Sequence, residues 1–224
     1  MIIDTNAYLG HWPFRKTTYT TAAELDVLAQ SMNVTHMVVS SANAIFYKDV
    51  MDGNRELAEE LAAYQGKTKF LPFAIINPTY PAWEQDMKTC IQELGFCGVE
   101  LTPAYHNYTL ANEGIAAFKL AGELGVPVRV NCEFENIRQH SHLDPTDMPT
   151  GADFIALLEA ADTTLIIGSA FPYTYGDRFI ELVKARKNVF FDFVRLDDFA
   201  TNSFPYVIEL FGLSHLCFGS RSPL

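Results

Sequence analysis

The amino-acid sequence predicts an α/β protein of the (β/α)8 TIM-barrel class. Eight short apolar runs of strand type recur roughly every 25 to 35 residues, with a helical pattern in the gaps between them. Strands that alternate with helices at this spacing form parallel sheets, and eight such units close into a barrel. A doubly wound open sheet is the alternative, but no glycine-rich phosphate-binding turn follows the first strand, as that fold would require.

The individual elements follow from local patterns. Strands are predicted at residues 2–4, 36–41, 70–77, 98–101, 128–132, 165–169, 189–193 and 216–220. Helices are predicted at residues 21–32, 51–64, 82–94, 112–124, 152–161, 177–186 and 203–211. Several helices are followed by glycines that favour helix ends, namely Gly66, Gly95, Gly125 and Gly212. Residues 2–8 alternate as one opening strand, so Asp4, Asn6 and Tyr8 are expected to point into the cavity where that strand ends.

One domain spanning residues 1–224 is expected, because 224 residues with 49% hydrophobic content can bury a full core. The sequence stops shortly after the predicted eighth strand, so the last outer helix of a standard barrel is expected to be absent. Another segment or a second copy of the chain would then cover that flank, an irregular barrel being the alternative. A homodimer is therefore the expected assembly.

The charge pattern disfavours nucleic acids and anionic membranes as partners. The formal net charge is −11, and the basic residues are scattered without runs. No apolar stretch approaches the roughly 20 residues that cross a bilayer, and the first strand does not resemble a secretory signal. A cytoplasmic protein with a small-molecule substrate or ligand is expected. The cysteines show no pairing pattern and are interpreted as reduced, mostly buried thiols, with Cys132 facing the helices.

The histidines divide by their position relative to the strands. Two begin strands, at the stability face of a barrel, and are expected to be structural: His36 and His215. The others lie in loops on the opposite rim, namely His11, His106, His140 and His142. The last two, with Asp144 and Asp147 nearby, are interpreted as solvated polar groups, a metal site being the alternative. The loop at residues 133–150 is a candidate lid.

The strand-end segments occur in an order that resembles a known family. They are residues 4–10 (DTNAYLG), 98–103 (GVELTP), 127–131 (PVRVN), 165–169 (LIIGS), 188–192 (NVFFD) and 218–223 (FGSRSP). Over the whole chain they resemble the amidohydrolase-related branch of the amidohydrolase superfamily. In that family the first strand ends in a His-x-His pair and the fifth and sixth strands each end in a histidine. The eighth strand carries an aspartate that binds metal and handles the proton of the attacking water.

At every position that the resemblance assigns to a metal ligand, this chain carries another residue. The residues present are Asn6, Tyr8, Asn131, Ser169 and Arg221. Sites without imidazole or thiol groups hold zinc poorly. A guanidinium stays protonated, and at ~4 Å from another cation, with an effective dielectric near 20, the repulsion is on the order of 4 kcal/mol. No catalytic zinc and no other cofactor is therefore predicted.

The candidate catalytic residues are Glu133, Arg221, His11, Glu100 and Asp192. Glu133 shares the strand face of Asn131 and is the favoured general base. Arg221 is expected to hold Glu100, Asp192 or Asp4 at the barrel mouth or to grip a substrate carboxylate, a simple internal ion pair being the alternative. Carboxylates inside apolar strands need partners, so a functional role and a barrel-bracing ion pair both stay open for Glu100 and Asp192.

The candidate substrate-binding residues are Asp4, Asn6, Tyr8, Trp12, Arg15, Asn131 and Ser169. Trp12 and Arg15 belong to the run HWPFR at residues 11–15, which could wall a ligand pocket or pack a lid. This run resembles a subgroup of amidohydrolase-related proteins that open in Asp-x-Asn and continue Trp-Pro-Phe-Arg. Membership would make the altered ligand set a feature of a lineage.

Three function classes stay open. The leading hypothesis is a hydrolase or related decarboxylating lyase that acts on a small carboxylate or cyclic amide with a degenerate metal site, where any metal would need unusual oxygen ligands. A metal-free enzyme would use Glu133 or His11 as general base and Arg221 as electrostatic stabiliser. A non-catalytic barrel that binds a small molecule or regulates a partner is the third class, because fold alone does not confer function.

Overall fold

The chain forms a barrel of parallel strands that follow one another in sequence order around the sheet. The computed structural model describes residues 1–136, 138, 140–194 and 203–224. The strands are β1 (Ile3–Leu9), β2 (His36–Ser41), β3 (Lys69–Ile75), β4 (Gly98–Leu101), β5 (Val128–Asn131), β6 (Leu165–Gly168), β7 (Val189–Asp192) and β8 (Leu216–Cys217). The predicted (β/α)8 barrel is confirmed.

Helices connect the strands on the outside of the barrel. They are α1 (Ala22–Ser31), α2 (Ala42–Phe46), α3 (Val50–Ala63), α4 (Trp83–Gln92), α5 (Pro103–His106), α6 (Ile115–Glu123), α7 (Gly151–Ala160), α8 (Asp177–Lys184) and α9 (Ser203–Phe211). A π-helical turn at Leu110–Gly114 leads into α6, and 3-10 turns lie at Pro172–Thr174 and Leu213–His215. The short helices α2 and α5 were not predicted, because they are shorter than the window in which helical periodicity is visible.

Side-chain caps fix the start of two predicted helices. At the start of α1, the Thr21 side chain accepts a hydrogen bond from the backbone N–H of Glu24, and the Glu24 carboxylate accepts one from the backbone N–H of Thr21. Thr150 and Asp153 form the same pair of hydrogen bonds at the start of α7. Each of these helices therefore begins within one residue of its predicted start. In the part of the chain that the structure describes, no helix is both long and apolar enough to cross a membrane.

The residues after β8 close the barrel against β1. The backbone N–H of Thr5 donates to Phe218 O at 2.8 Å, that of Arg221 to Asn6 O at 2.7 Å, and that of Tyr8 to Ser222 O at 2.8 Å. Residues 218–224 contain no helix, which confirms the predicted absence of a last outer helix over that segment.

The inside of the barrel is arranged in layers. An apolar layer near the N-terminal ends of the strands is built around Val38, Phe73 and Ile166. Polar and charged side chains form the middle layer, and aromatic side chains cover it at the C-terminal ends. The larger apolar core lies between the strands and the outer helices. The middle layer lies where the active sites of barrels are built, and it holds most of the predicted site residues.

Of the residues expected to be structural, His215 and two cysteines are buried, whereas His36 at the start of β2 is only partly buried. His215 is buried, and its Nδ1 lies 2.8 Å from the carbonyl oxygen of Val189. The cysteines are unpaired, and Cys90 and Cys132 are buried. Burial raises the pKa of each of these two thiols to about 12, so neither is a reactive thiolate at neutral pH.

Candidate functional site

The ends of β1, β5 and β7 meet inside the barrel through amide and carboxylate groups. Asn6 donates its side-chain amide to Asn131 Oδ1 at 2.7 Å and to Asp192 Oδ2 at 2.6 Å. Asn131 donates in return to Asn6 Oδ1 at 3.2 Å. Asn6 and Asp192 are completely buried, and Asn131 nearly so. These predicted site residues therefore contact one another and are withdrawn from solvent.

Tyr8 and Glu100 extend this arrangement towards β4. The Tyr8 hydroxyl donates to Glu100 Oε1, and the Asn131 amide donates to the Tyr8 hydroxyl and, at 2.9 Å, to the same Glu100 oxygen. Burial raises the pKa of Tyr8 well above its ordinary value, and the charge of Glu100 raises it further. Tyr8 therefore keeps its proton and acts as a donor.

Arg129 is the cation of this interior layer, and no site role was predicted for it. Its Nη2 donates to Glu100 Oε2 at 2.6 Å and to Ser40 Oγ at 2.7 Å, and its Nη1 donates to Thr5 O at 2.7 Å. Two aromatic rings lie 5.3 and 5.4 Å from the guanidinium carbon, within cation–π range. Arg129 and Glu100 are both completely buried and face each other across paired strands.

Asp4 and Asp192 are held by hydrogen bonds. Asp4 Oδ2 accepts from Ser220 Oγ at 2.5 Å, and its Oδ1 accepts from two backbone N–H groups at 3.0 Å. Asp192 Oδ1 accepts from the backbone N–H of Ser169 at 2.9 Å. Burial raises the pKa of both carboxyls, and these hydrogen bonds oppose the rise. We call Asp4, Asn6, Tyr8, Glu100, Arg129, Asn131 and Asp192 the central network.

Two glycines leave space for the central network at the strand ends. A Cβ atom at Gly168 would lie 2.0 Å from Asn131 Oδ1, and one at Gly219 would lie 2.8 Å from Asp192 Cβ. Both distances are far below van der Waals contact. The centre of the barrel is therefore filled to its walls by the side chains already there.

The central network does not fit a divalent ion as its side chains lie. The amide nitrogens of Asn6 and Asn131 are donors, and they occupy the oxygen acceptors that a metal would require. Within the described ranges, no group of three or more His, Cys, Asp or Glu side chains is placed to hold a metal ion. The arrangement is that of a hydrogen-bonded core.

Arg221 lies at the edge of the central network. Its Nη1 donates to the carbonyl oxygen of Glu133 at 2.8 Å and to Ser169 Oγ at 3.2 Å. Two of the carboxylates expected to pair with Arg221 have other partners. Glu100 forms an ion pair with Arg129 on the neighbouring strand, and Asp4 accepts a hydrogen bond from Ser220. The charge of Arg221 lowers the pKa of Asp192, against the larger effect of burial.

Aromatic side chains from the loops cover the central network. Trp12 stacks on Phe134 with ring centroids 5.5 Å apart, and Phe134 lies 5.4 Å from the ring of Tyr8. We call Trp12, Phe14, Phe46, Tyr105 and Phe134 the aromatic lid. Trp12 and Phe134 are 4% and 3% exposed, so this lid separates the central network from solvent.

A cavity of about 170 Å³ opens beside the lid, at the ends of β5 and β6. This β5–β6 cavity is lined by Cys132, Glu133, Glu135, His140, Asp144, Pro145, Thr146, Met148 and Phe171. The predicted general base Glu133 therefore lies here. His140 and His142 were expected to be solvated, and His142 is exposed whereas His140 is only partly exposed. Asp144 is 7% exposed, and its Oδ1 accepts from the Tyr105 hydroxyl at 2.5 Å. Burial raises the pKa of Asp144.

A second cavity, of about 590 Å³, lies between the loop after β1 and helix α1. This β1–α1 cavity is lined by His11, Trp12, Arg15, Lys16, residues 17–20, Glu24 and Val27. Arg15 Nε lies 3.0 Å from Glu135 Oε1, and Trp12 Nε1 donates to the same oxygen at 2.9 Å. Because Glu135 also lines the β5–β6 cavity, its carboxylate connects the two cavities.

The predicted site residues thus lie in three separate regions: the central network with its edge, the β5–β6 cavity and the β1–α1 cavity. The central network and its edge hold Asp4, Asn6, Tyr8, Glu100, Asn131, Ser169, Asp192 and Arg221, the β5–β6 cavity holds Glu133, and the β1–α1 cavity holds His11, Trp12 and Arg15. Sequence reasoning missed Arg129, although a charge inside an apolar strand was a signal for it. Glu135 and Asp144 belong to a long loop, and no local pattern indicated where its side chains would lie.

Comparisons with known proteins found one matching family model and several solved structures with a similar fold. The sequence model of a family described as amidohydrolase matches residues 5–224. A comparison with curated protein sequences found no match.

Solved structures share the fold at low sequence identity. A protein from Staphylococcus aureus classed as an amidohydrolase is 18% identical with a TM-score of 0.69, over 99% of this chain and 88% of that one. The 5-carboxyvanillate decarboxylase of Novosphingobium aromaticivorans, solved with manganese and 4-hydroxy-3-methoxy-5-nitrobenzoic acid, is 12% identical with a TM-score of 0.61, over 100% and 86% of the two chains. The dihydroorotase of Campylobacter jejuni is 15% identical with a TM-score of 0.58, over 99% and 68%.

Proposed function

We propose that this chain, which belongs to the amidohydrolase family, is a hydrolase of a small uncharged cyclic amide and works without a metal ion at the barrel centre. The observation that carries this proposal is the β5–β6 cavity, which collects Glu133, His140 and Asp144 at the C-terminal face of the barrel. That face is where barrel enzymes place their reacting groups. The family name supports amide hydrolysis as the reaction class.

The filled centre supports a metal-free reaction. The carboxylates of the central network are engaged by Arg129, Asn6 and Ser220, and the aromatic lid keeps solvent from them. A substrate that entered the centre would have to displace both the lid and a buried ion pair. The β5–β6 cavity is accessible without either change, so the chemistry is assigned to its lining residues.

The cavity offers the groups that general acid–base hydrolysis needs. Glu133 accepts a proton from a water molecule as the water oxygen bonds to the amide carbon, and the carbonyl electron pair moves onto the carbonyl oxygen. When the C–N bond breaks, Asp144 in its protonated form donates a proton to the leaving nitrogen. The raised pKa of Asp144 favours that form. His140 also lines the cavity, and among the described residues its buried Nδ1 has no hydrogen-bond partner.

The lining also restricts the substrate. Glu133 and Glu135 line this cavity beside the protonated Asp144, and their carboxylates disfavour an anionic substrate in it. Met148 and Phe171 supply apolar walls for the carbon atoms of a ring. A volume of about 170 Å³ is below that of drug-sized pockets and suits a single small ring. An uncharged cyclic amide meets these conditions better than the small carboxylate that the sequence left open.

The test is hydrolysis of hydantoin and dihydrouracil by protein treated with EDTA, before and after zinc or manganese is added back. We expect turnover in EDTA that neither metal raises. Glu133→Gln and Asp144→Asn should each lower kcat by about 100-fold or more. Thr146→Val changes the same cavity without removing an ionisable group and should keep activity within about threefold. Activity that depends on added metal would contradict the proposal.

A second candidate function is a non-catalytic barrel that binds a small molecule. The observation that favours it is the complete burial of Asn6, Tyr8 and Ser169, at positions that carry metal ligands in the family that the sequence resembles. A ring amide that raises the melting temperature in a concentration-dependent manner, with no product formed over many hours, would favour this function over hydrolysis.

A further inference from the structure

We propose that the β1–α1 cavity is a separate binding site for a small monocarboxylate with an apolar body, and that Glu135 competes with this ligand for the guanidinium of Arg15. The site is distinct from the hydrolytic cavity proposed above, and it needs no catalysis to operate. Its volume, about 590 Å³, lies in the range of small-molecule sites.

The cavity carries a concentration of positive charge that is unusual for this acidic chain. Arg15 and Lys16 line it together with the imidazole of His11 and the threonines among residues 17–20. The whole sequence contains 16 basic and 27 acidic residues, so two adjacent cations in one cavity are uncommon here. Adjacent cations and hydroxyl donors in one concave site favour an anion there.

The carboxylate that lines the same cavity is occupied elsewhere. Glu24 caps helix α1, where its Oε2 accepts from the backbone N–H of Thr20 at 2.9 Å and from that of Thr21 at 3.2 Å. The hydrogen bond from the Thr21 backbone is the main cause that lowers the pKa of Glu24. The Glu24 carboxylate is therefore engaged by the backbone at the start of α1. Arg15 and Lys16 can then interact with the carboxylate of a ligand.

Arg15 already binds a carboxylate through part of its guanidinium. The contact with Glu135 uses Nε, and the Arg15 side chain is 51% exposed while that of Glu135 is 7% exposed. Its terminal amino groups form an edge that suits a second carboxylate in a bidentate bond. Two carboxylates on one guanidinium repel each other, so a ligand on that edge weakens the bond to Glu135, and Glu135 weakens the bond to the ligand.

The apolar side chains of the β1–α1 cavity favour a ligand with an apolar body. Trp12, Tyr19 and Val27 supply aromatic and aliphatic surface to the cavity. An apolar body gains free energy by covering that surface, whereas inorganic phosphate does not. The planar carboxylate of Glu135 on Arg15 shows the head group that this guanidinium accepts. We therefore choose phenylacetate as the probe and phenylacetamide as its uncharged counterpart.

The test is calorimetric or NMR titration of the whole chain at fixed ionic strength. Phenylacetate should bind at least tenfold more tightly than phenylacetamide or inorganic phosphate. Arg15→Met should weaken phenylacetate binding at least tenfold, and Glu135→Gln should tighten it severalfold because the competing charge is gone. Arg178→Met removes an arginine of similar exposure from a surface ion pair and should change nothing.

A spectroscopic signal separates this site from the hydrolytic cavity. Trp12 donates to Glu135, so phenylacetate should shift its fluorescence in a Trp83→Phe background, which removes the other tryptophan of the chain. The shift should be lost with Arg15→Met. Equal binding of phenylacetate and phenylacetamide, or affinity that Arg15→Met and Glu135→Gln leave unchanged, would overturn the proposal. Both readouts measure binding, so their result is independent of whether any cyclic amide is hydrolysed.

Discussion

Glu100 and Arg129 form an ion pair 2.6 Å long inside the barrel, and neither side chain has any exposure to solvent. The two residues face each other in the register of β4 and β5. Burial of two charges is costly, and here the cost is offset by the other hydrogen bonds that each group makes. The pair therefore depends on both partners being present.

Removal of one partner should destabilise the protein strongly. Arg129→Met would leave Glu100 as an uncompensated buried charge, and we expect a loss of about 3–5 kcal/mol in the free energy of unfolding, measured by urea denaturation. Arg178→Met removes two exposed ion pairs, with Glu159 and Glu181, and should cost at most about 1 kcal/mol. The double variant Glu100→Gln/Arg129→Met should lose less than Arg129→Met alone. Equal losses in the two would contradict the role assigned to the buried charge.

Gly168 should not tolerate a methyl group. Its Cβ would lie 2.0 Å from Asn131 Oδ1 and 2.8 Å from Asn6 Nδ2, so Gly168→Ala should disrupt the central network and cost about 3 kcal/mol, the upper end for overpacking. Gly125→Ala is the matched control, because its Cβ meets nothing within 4 Å and only its positive φ of 73° is strained. That variant should cost about 1 kcal/mol. Thermal and urea denaturation of both variants would show a reversed order if the barrel centre were loosely packed.

Divalent metals should not stabilise the native protein. A native-state site would add about 2.7 kcal/mol of stability at a metal concentration one hundred times its dissociation constant. Because the oxygen acceptors of the central network are occupied by amide donors, we expect the melting temperature of EDTA-treated protein to stay unchanged as zinc or manganese is added. A rise that grows with metal concentration and is lost in Asp192→Asn would show that an ion enters the network.

His106 should make stability depend on pH. It is partly buried, with Nε2 3.1 Å from Ile45 O and Nδ1 3.2 Å from Thr102 Oγ1, and desolvation lowers its pKa to about 4. The unfolded chain takes up this proton near the ordinary histidine pKa of about 6.5, so the folded state is favoured above that pH and loses stability as pH falls from about 6.5 to 4. The loss should reach about 3 kcal/mol.

The control for this pH dependence is a comparison of variants. His106→Gln keeps a donor and an acceptor but does not titrate, so its unfolding free energy should fall less between pH 7 and pH 4.5 than that of the unaltered protein. His142→Gln changes an exposed histidine and should leave the slope unchanged. Parallel slopes for all three proteins would show that His106 is not buried in its neutral form.

The barrel could be predicted from eight apolar strand patterns with helical patterns between them. Each strand or helix is indicated by the spacing of apolar residues within a short segment of sequence. β2 and β4 have their predicted bounds, whereas β1 continues to Leu9 and β8 ends at Cys217. The strand-end residues Asn6, Tyr8 and Asn131 were predicted to share a cavity, and they do contact one another. Strand alternation placed Asn6 and Tyr8 on one face, and the family resemblance added Asn131 at the end of another strand.

Other parts of the candidate site depend on tertiary contacts that alternation does not encode. The sequence did not indicate that the barrel centre would be closed, because closure depends on Trp12 and Phe134 packing over it from separate loops. Nor did it place Glu135 beside Arg15, since the two residues are joined only through long loops. Arg129 could have been found by the argument applied to Glu100.

The stacked Trp12 and Phe134 above the central network, and the apolar layer below it, have a consequence for proton exchange. Hydrogens on the Asn6 amide and the Tyr8 hydroxyl can reach deuterated water only when the aromatic lid opens or the strands separate. Their slow disappearance from NMR spectra in D2O should therefore report how rarely the covered centre of the barrel opens.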